Sequence, residues 1–117
     1  MKRLRLIVLG LAVLTTLSVL HYKFGLFNRF NFVTAYWDRW LGNERIIIYG
    51  ELFENDSLKT VLAPRFGFKY ERAAGCLVTH PFVNGVDDYN KVMGQKIRER
   101  LGDDWDNVLE KEISKIK

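Results

Sequence analysis

The sequence predicts a small α/β or α+β domain that follows an N-terminal membrane-spanning helix. Three observations support this fold class: an uncharged run over residues 6–22, a β-branched string Ile46-Ile47-Ile48, and flanking segments with apolar residues at steps of three and four. The predicted order, counted after the anchor, is α-β-α-β(-β)-α-α. We therefore divide the chain into an anchor, residues 1–23, and one small domain, residues 24–117.

The anchor is predicted from its charges and its length. Lys2, Arg3 and Arg5 precede seventeen uncharged residues, which is the lower limit of the roughly 17–25 residues that span a bilayer. The run is longer than the apolar part of an ordinary signal peptide, about 7–15 residues. Only Thr16-Leu17-Ser18 offers a passable cleavage site, so an uncleaved anchor is favoured and secretion after cleavage is the alternative.

The charge distribution predicts where the domain works. Basic residues stay on the cytoplasmic side, so we expect membrane contact through residues 4–22 and an extracytoplasmic, periplasmic domain in a bacterial envelope. Phe24 and Phe27 are expected at the membrane–water interface. From Phe24 onward the chain has fourteen basic and fourteen acidic residues. Nucleic-acid binders carry a basic footprint on the folded part, so no nucleic-acid partner is expected.

The first half of the domain is predicted to contain a helix and a strand. Leu26, Phe30, Val33, Trp37 and Trp40 or Leu41 share one helical face, and Gly42 supplies the stop. The side chains from Val33 to Leu41 are expected to face the core. Arg45–Tyr49 is the clearest strand, because its continuous apolar residues suit a strand that is buried on both faces.

The middle segment is predicted to cross over to a second strand. Residues 55–57 can cap a helix whose apolar residues end at Leu62, and Pro64 breaks it near Phe66-Gly67. Phe68–Tyr70 and Cys76–Thr79 are predicted as further strands. A right-handed crossover from Ile46–Tyr49 to Leu77–Thr79 is the expected topology.

Two helices are predicted at the C-terminal end. Thr79 or His80 caps the first, Pro81 occupies its first turn, and Gly102 ends it. Its apolar stripe is Phe82, Val86, Tyr89, Met93 and Ile97. Asp103 or Asp104 caps the second helix, whose stripe is Trp105, Val108, Leu109, Ile113 and Ile116.

Candidate ligand-binding residues lie where the predicted strands end, the usual ligand edge of open α/β sheets. They are Tyr49, Glu51, Cys76 and His80. A cysteine and a histidine four residues apart could form a nucleophilic pair or half of a zinc site, but a structural zinc needs four ligands and His21 is the only other histidine. We therefore predict no catalytic residue, metal or cofactor. The single cysteine also excludes an internal disulfide.

Several short strings resemble a group of short, membrane-anchored bacterial proteins of unassigned function. They are Tyr36-Trp37-Asp38, Ile48-Tyr49-Gly50, Gly67-Phe68-Lys69-Tyr70, Ala74-Gly75-Cys76 and Tyr89-Asn90-Lys91-Val92. The resemblance implies an envelope location and brings no activity or site residues.

Two functional hypotheses follow from the sequence. The first is a membrane-tethered, non-enzymatic module that binds another envelope protein or a second copy of itself. It rests on the absence of a catalytic constellation and on the aromatic residues near the anchor. The alternative is a small enzyme or ligand-binding domain that uses the strand-end edge.

Overall fold

The fold is a helix-rich mixture with one small sheet. A computed structural model describes residues 1–52 and 55–116 of the chain. Its elements are α1 (Lys2–Phe24), α2 (Phe32–Leu41), β1 (Arg45–Ile48), α3 (Asp56–Leu62), a 3₁₀ turn (Ala63–Phe66), β2 (Lys69–Arg72), α4 (His80–Leu101) and α5 (Trp105–Ile116). Each strand has only four residues, so the domain is less strand-rich than the α/β class implies.

Helix α1 is long and apolar enough to cross a membrane or to serve as a signal anchor. No other described helix passes that test. The 23-residue helix is about 35 Å long at 1.5 Å per residue, and the whole molecule is 72 Å long. The helix has no buried residue, so it extends away from the domain.

The sheet consists of β1 and β2 in parallel, with Ile46 opposite Tyr70 and Ile48 opposite Arg72. Helix α3 and the 3₁₀ turn connect the two strands, so the predicted strand–helix–strand unit is present. The predicted crossover to Leu77–Thr79 is wrong, because β2 is the second strand. The predicted strand Cys76–Thr79 is also wrong.

The segment before α4 forms other hydrogen bonds in place of strand pairing. The Gly75 carbonyl accepts a hydrogen bond from Gly50 N–H at 3.0 Å, and the Thr79 hydroxyl accepts one from Phe82 N–H, which caps α4. Leu77 is 98% exposed, although a buried strand would have covered it. The string Cys76–Thr79 therefore forms a loop.

Two apolar clusters make up the core, and α4 contributes to both. The first contains Phe30, Ala35, Ile47, Val86, Tyr89 and Met93. The second contains Leu62, Ala63, Phe68, Ile97, Leu109 and Ile113. The predicted α4 stripe is confirmed from Val86 to Ile97, while in the predicted α5 stripe only Leu109 and Ile113 are buried.

Helix α2 begins at Phe32, six residues later than predicted. The buried Asn31 causes this start, because its Oδ1 accepts hydrogen bonds from Val33 and Thr34 N–H at 2.9 and 3.0 Å. Its Nδ2 donates to the Asn28 carbonyl at 2.9 Å and so holds the preceding turn. The prediction that Val33 through Leu41 face the core is wrong, since Ala35 is the buried residue of α2.

Candidate functional site

The strand-end edge of the sheet is occupied by an arginine of the chain itself. Arg72, the last residue of β2, donates from Nη1 to the carbonyls of Gly50 and Ala74 at 2.8 and 3.2 Å. Its Nη2 lies 3.6 Å from Asp56 Oδ2 at the start of α3. The guanidinium thus ties together the loops that an open α/β sheet usually offers to a ligand.

Two of the predicted ligand residues at this edge are exposed, and a third packs into the domain. Glu51 and Cys76 are exposed. The Tyr49 ring packs edge-on against Phe82 with centroids 5.6 Å apart. Burial raises the pKa of the Tyr49 phenol, and the charge of Asp87 and a hydrogen bond to it add to the effect. This tyrosine therefore stays protonated at neutral pH.

The fourth predicted residue, His80, is the first residue of α4, at the end of the loop (residues 73–79) that contains Cys76. It is exposed in the first turn of α4, and its ring centroid is 6.0 Å from that of Tyr22 in the last turn of α1. Over residues 1–52 and 55–116, no group of three or more His, Cys, Asp or Glu could hold a metal ion. The described residues at this edge therefore form no metal-binding cluster, and a ligand site there remains a prediction.

A buried polar network joins α2 to the sheet and to α4. Tyr89 OH donates to Asp38 Oδ2 at 2.6 Å. Arg45 Nη1 donates to Glu71 Oε2 at 3.0 Å, and Arg45 Nε lies 3.8 Å from the same Asp38 oxygen. Tyr89 is fully buried and Arg45 is 8% exposed. Sequence periodicity could not reveal this network, because its members come from four separate elements.

The protonation states of the network indicate a structural role. Burial raises the pKa of Tyr89, and its hydrogen bond to Asp38 raises it further. Burial lowers the pKa of Arg45, but the hydrogen bond from Arg45 to Glu71 and the surrounding charges outweigh this and leave it raised. Neither group is poised to exchange a proton near neutral pH, as a general acid or base must be.

The outward face of α2 is an exposed apolar surface. We call it the α2 stripe, and its members are Val33, Tyr36, Trp37, Trp40 and Leu41, which are 52–77% exposed. The spacing of three and four residues places them on one helical face. The opposite face carries the buried Ala35 and also Asp38, which accepts from Tyr89.

An open apolar groove of about 510 Å³ is lined by Thr34 and by four members of the stripe, Val33, Tyr36, Trp37 and Trp40. The rings of Trp37 and Trp40 lie side by side within it, with centroids 5.6 Å apart. A large aromatic side chain has an area of about 150–250 Å², and each aromatic member of the stripe is more than half exposed. The stripe therefore offers several hundred Å² of apolar surface, which matches the largest apolar patch of a typical monomer, and such a patch is often an interaction site.

A tight joint connects α1 to the domain. Gly25 ends α1 with φ of +61°, and a Cβ on Gly85 of α4 would lie 2.5 Å from the Phe30 carbonyl oxygen. Asn84 Nδ2 donates to the Tyr22 carbonyl at 2.8 Å. Helix α1 therefore continues into the domain without a flexible linker.

The two phenylalanines predicted at the membrane interface have different surroundings at this joint. Phe24 is partly buried, and its ring packs edge-on against Phe32 with centroids 5.7 Å apart. Phe27 is 68% exposed and stacks on His21 of α1, with centroids 5.0 Å apart. The interface location remains a prediction for both residues, and Phe27 has the exposure that it requires.

Comparisons with protein-family models, curated proteins and solved structures find no match for this chain. The function is therefore argued from the surfaces described above.

Proposed function

We propose that this chain is a membrane-tethered, non-enzymatic module that binds a protein partner through the α2 stripe, as an accessory subunit in the envelope. The observation that carries this proposal is the exposure of five large apolar side chains on a helix whose other face is fixed to the domain. Burying such a surface against a partner removes it from water, which is the main driving force of association.

The chemistry of the stripe suits a protein better than a small molecule. Small-molecule sites are concave and combine apolar walls with a few placed polar groups. The groove along the α2 stripe is open and lies on a single helix, and among the described residues that line it only Thr34 and Tyr36 carry a hydroxyl group. Tryptophan and tyrosine are the residues that most often dominate the binding energy of protein interfaces.

The position of the stripe favours a partner that lies in or on the same membrane. Phe32, the first residue of α2, contacts Phe24 at the end of α1. The ten-residue helix is about 15 Å long, so every member of the stripe lies near the end of the anchor. Two proteins held in one membrane meet at a raised effective concentration. An apolar surface of moderate area is therefore sufficient for them to associate.

The experiment is crosslinking and recovery of the tagged full-length protein from its native membranes. We expect a partner in near-equal amount with the native chain, and its loss in the double variant Trp37→Ser/Trp40→Ser. The matched control is Val61→Ser on α3, which also removes a side chain that is 65% exposed but lies outside the stripe. Recovery of the same partner with the double variant, or recovery of the native chain alone, would overturn the proposal.

A further inference from the structure

We propose that a second surface of the domain rests in the headgroup layer of the bilayer that holds α1. This surface, the membrane-end rim, consists of Tyr22, Phe27 and Leu77, which are 55%, 68% and 98% exposed. The inference requires α1 to lie in a membrane and is independent of the α2 stripe. We propose lipid as the occupant of this surface. Measurement at different dilutions of the protein in lipid distinguishes this from contact with a second protein.

Tyr22 lies in the last turn of α1, Phe27 lies in the loop that follows it, and Leu77 lies in the loop that precedes α4. Phe27 turns back onto that helix, because its ring stacks on His21 and its N–H donates to His21 Nδ1 at 3.3 Å. Leu77 is three residues before His80, whose ring contacts Tyr22. Scattered exposed apolar residues are ordinary on a protein surface. Here, however, Tyr22 and Phe27 lie in and just after the last turn of a membrane-type helix, and Leu77 lies on the neighbouring loop.

A shallow groove brings the two loops of the rim together. It measures about 390 Å³ and is lined by Asn28 of the first loop and by Leu77, Val78 and Thr79 of the second, with Ala74 and Phe82. The loop that follows α1 and the loop that precedes α4 are therefore neighbours. Each loop carries one large, exposed apolar side chain, Phe27 in the first and Leu77 in the second.

The length of the apolar run draws this end of the domain towards the bilayer. Seventeen uncharged residues in a helix span about 25 Å, whereas the hydrocarbon core is about 30 Å thick. A short span is accommodated by thinning of the bilayer and by flanking residues that reach the interface. Because Gly25 packs against Gly85 without room for a Cβ, the loops beside the joint move with the helix.

The charges near the rim suit anionic lipid headgroups. No acidic residue occurs before Asp38, so Lys23 and Arg29 have no carboxylate close to them in the sequence. Neither forms an ion pair with any residue of the described part of the chain. Basic residues next to an anchor are attracted to anionic phosphates at the membrane surface.

The sole cysteine makes the rim directly measurable. Cys76 is exposed and adjacent to Leu77, so a spin label on it reports the surroundings of the second loop. The full chain is reconstituted at low density into vesicles of phosphatidylcholine and phosphatidylglycerol. Collisions of the label with oxygen, which concentrates in lipid, are compared with collisions with a water-soluble nickel chelate. The reference label is on α3, in the variant Cys76→Ser/Val61→Cys.

We expect the label on Cys76 to collide with the nickel chelate several-fold less often than the label on α3. The variants Leu77→Ser and Phe27→Ser should raise that collision rate towards the reference, while Trp37→Ser/Trp40→Ser should leave it unchanged. Equal chelate collision rates at the two label positions would overturn the inference. Protection that disappears on dilution of the protein in lipid would also overturn it, because the contact would then be between copies of the chain.

Discussion

At the scale of single residues, Tyr89 decides which way α2 faces. Its hydroxyl reaches from α4 to Asp38 of α2, on the side of the helix that is turned away from the stripe. The ring fills the first core cluster and packs edge-on against Phe30 with centroids 5.2 Å apart. Tyr89 therefore combines a hydrogen bond to α2 with a place in the core cluster that also contains Ala35 of α2, and both contacts lie on the face opposite the tryptophans.

The first prediction concerns this hydrogen bond. Tyr89→Phe keeps the ring but leaves the Asp38 carboxylate without its donor, so we expect the free energy of unfolding to fall by about 1–3 kcal/mol. Urea unfolding of the full chain in detergent, followed by near-ultraviolet circular dichroism, measures this change. The control is Tyr36→Phe, whose ring is 57% exposed and for which a change within about 0.5 kcal/mol is expected. Equal effects of the two variants would contradict the assigned role of Tyr89.

The second prediction concerns the pH dependence of stability. Burial, followed by the Asp38 hydrogen bond, raises the pKa of Tyr89 in the folded state above the ordinary value of 10.0. Above pH 10 the unfolded chain therefore releases the phenol proton while the folded chain retains it. The stabilisation is complete below pH 10 and declines above it, by about 1.4 kcal/mol per pH unit from this one group.

The same substitution isolates that contribution. Lys59 also has a raised pKa, caused by its hydrogen bond to Glu110, so the native protein loses stability above pH 10 for more than one reason. Urea unfolding at pH 8, 9, 10 and 11 should show a shallower decline for Tyr89→Phe than for the native chain. Equal slopes of unfolding free energy against pH for the two proteins would mean that the folded state does not raise the pKa of Tyr89.

At the scale of elements, a side chain completes the two-stranded sheet. One edge of β1 pairs with β2, and on the other edge Asn90 of α4 binds the backbone of Ile47. Asn90 Oδ1 accepts from Ile47 N–H at 2.8 Å, and Nδ2 donates to Ile47 O at 2.9 Å. The amide thus takes the place of a third strand for a residue that is 2% exposed.

The third prediction tests this replacement. Asn90→Ala leaves a buried N–H and a buried C=O without partners, each of which costs about 1–3 kcal/mol. We expect a loss of at least about 2 kcal/mol in the free energy of unfolding, measured by urea titration. Asn107→Ala on the exposed face of α5 is the matched control and should change little. A small effect at both positions would show that water can satisfy the edge of β1.

The fourth prediction concerns the joint between α1 and α4. Gly85→Ala would place a Cβ 2.5 Å from the Phe30 carbonyl oxygen, so we expect overpacking to lower the free energy of unfolding by about 1–3 kcal/mol. Gly94→Ala in the same helix meets no atom within 4 Å and should stabilise the domain by about 0.5–1 kcal/mol. Thermal unfolding of both variants measures the difference, and changes of equal sign would contradict the close approach.

The elements that the sequence could predict are those whose signals are local. Helical periodicity and the Thr79–Pro81 start predicted α4, and the β-branched run predicted β1. Periodicity shows which side chains share a face, but it does not show which face the domain covers. On α2 the small Ala35 allows close packing on α4, and Asp38 binds Tyr89, so the aromatic face is left outside.

The candidate surfaces were predictable to different degrees for the same reason. Aromatic density next to the anchor indicated a contact surface, and the α2 stripe lies within that segment. The prediction of a ligand site at the strand-end edge required a strand at Cys76–Thr79, and this segment is a loop. Arg72 and Asn90 fill the sheet edges through contacts over 22 and 43 residues of sequence, and short-range patterns carry no information about such contacts.

At the scale of the whole molecule, the anchor and the domain are structurally separable. Helix α1 has no buried residue and belongs to neither core cluster. Its hydrogen bond from Asn84 uses the Tyr22 carbonyl, which remains if the chain is shortened to residues 22–117. Both core clusters are therefore complete in the shortened chain, which loses only the outlying contact of Phe27 with His21 among the ring contacts described above.

The fifth prediction is that residues 22–117 fold without the anchor and associate only weakly through the α2 stripe. Two stripes packed together bury less than the roughly 1,200 Å² of a stable interface, and the shortened chain lacks the membrane that raises the effective concentration. Sedimentation equilibrium should show a monomer at micromolar concentration with weak self-association at higher concentration, abolished by Trp37→Ser/Trp40→Ser. A tight dimer that survives this double substitution would mean that copies meet through another face, and an unfolded product would mean that α1 supports the core.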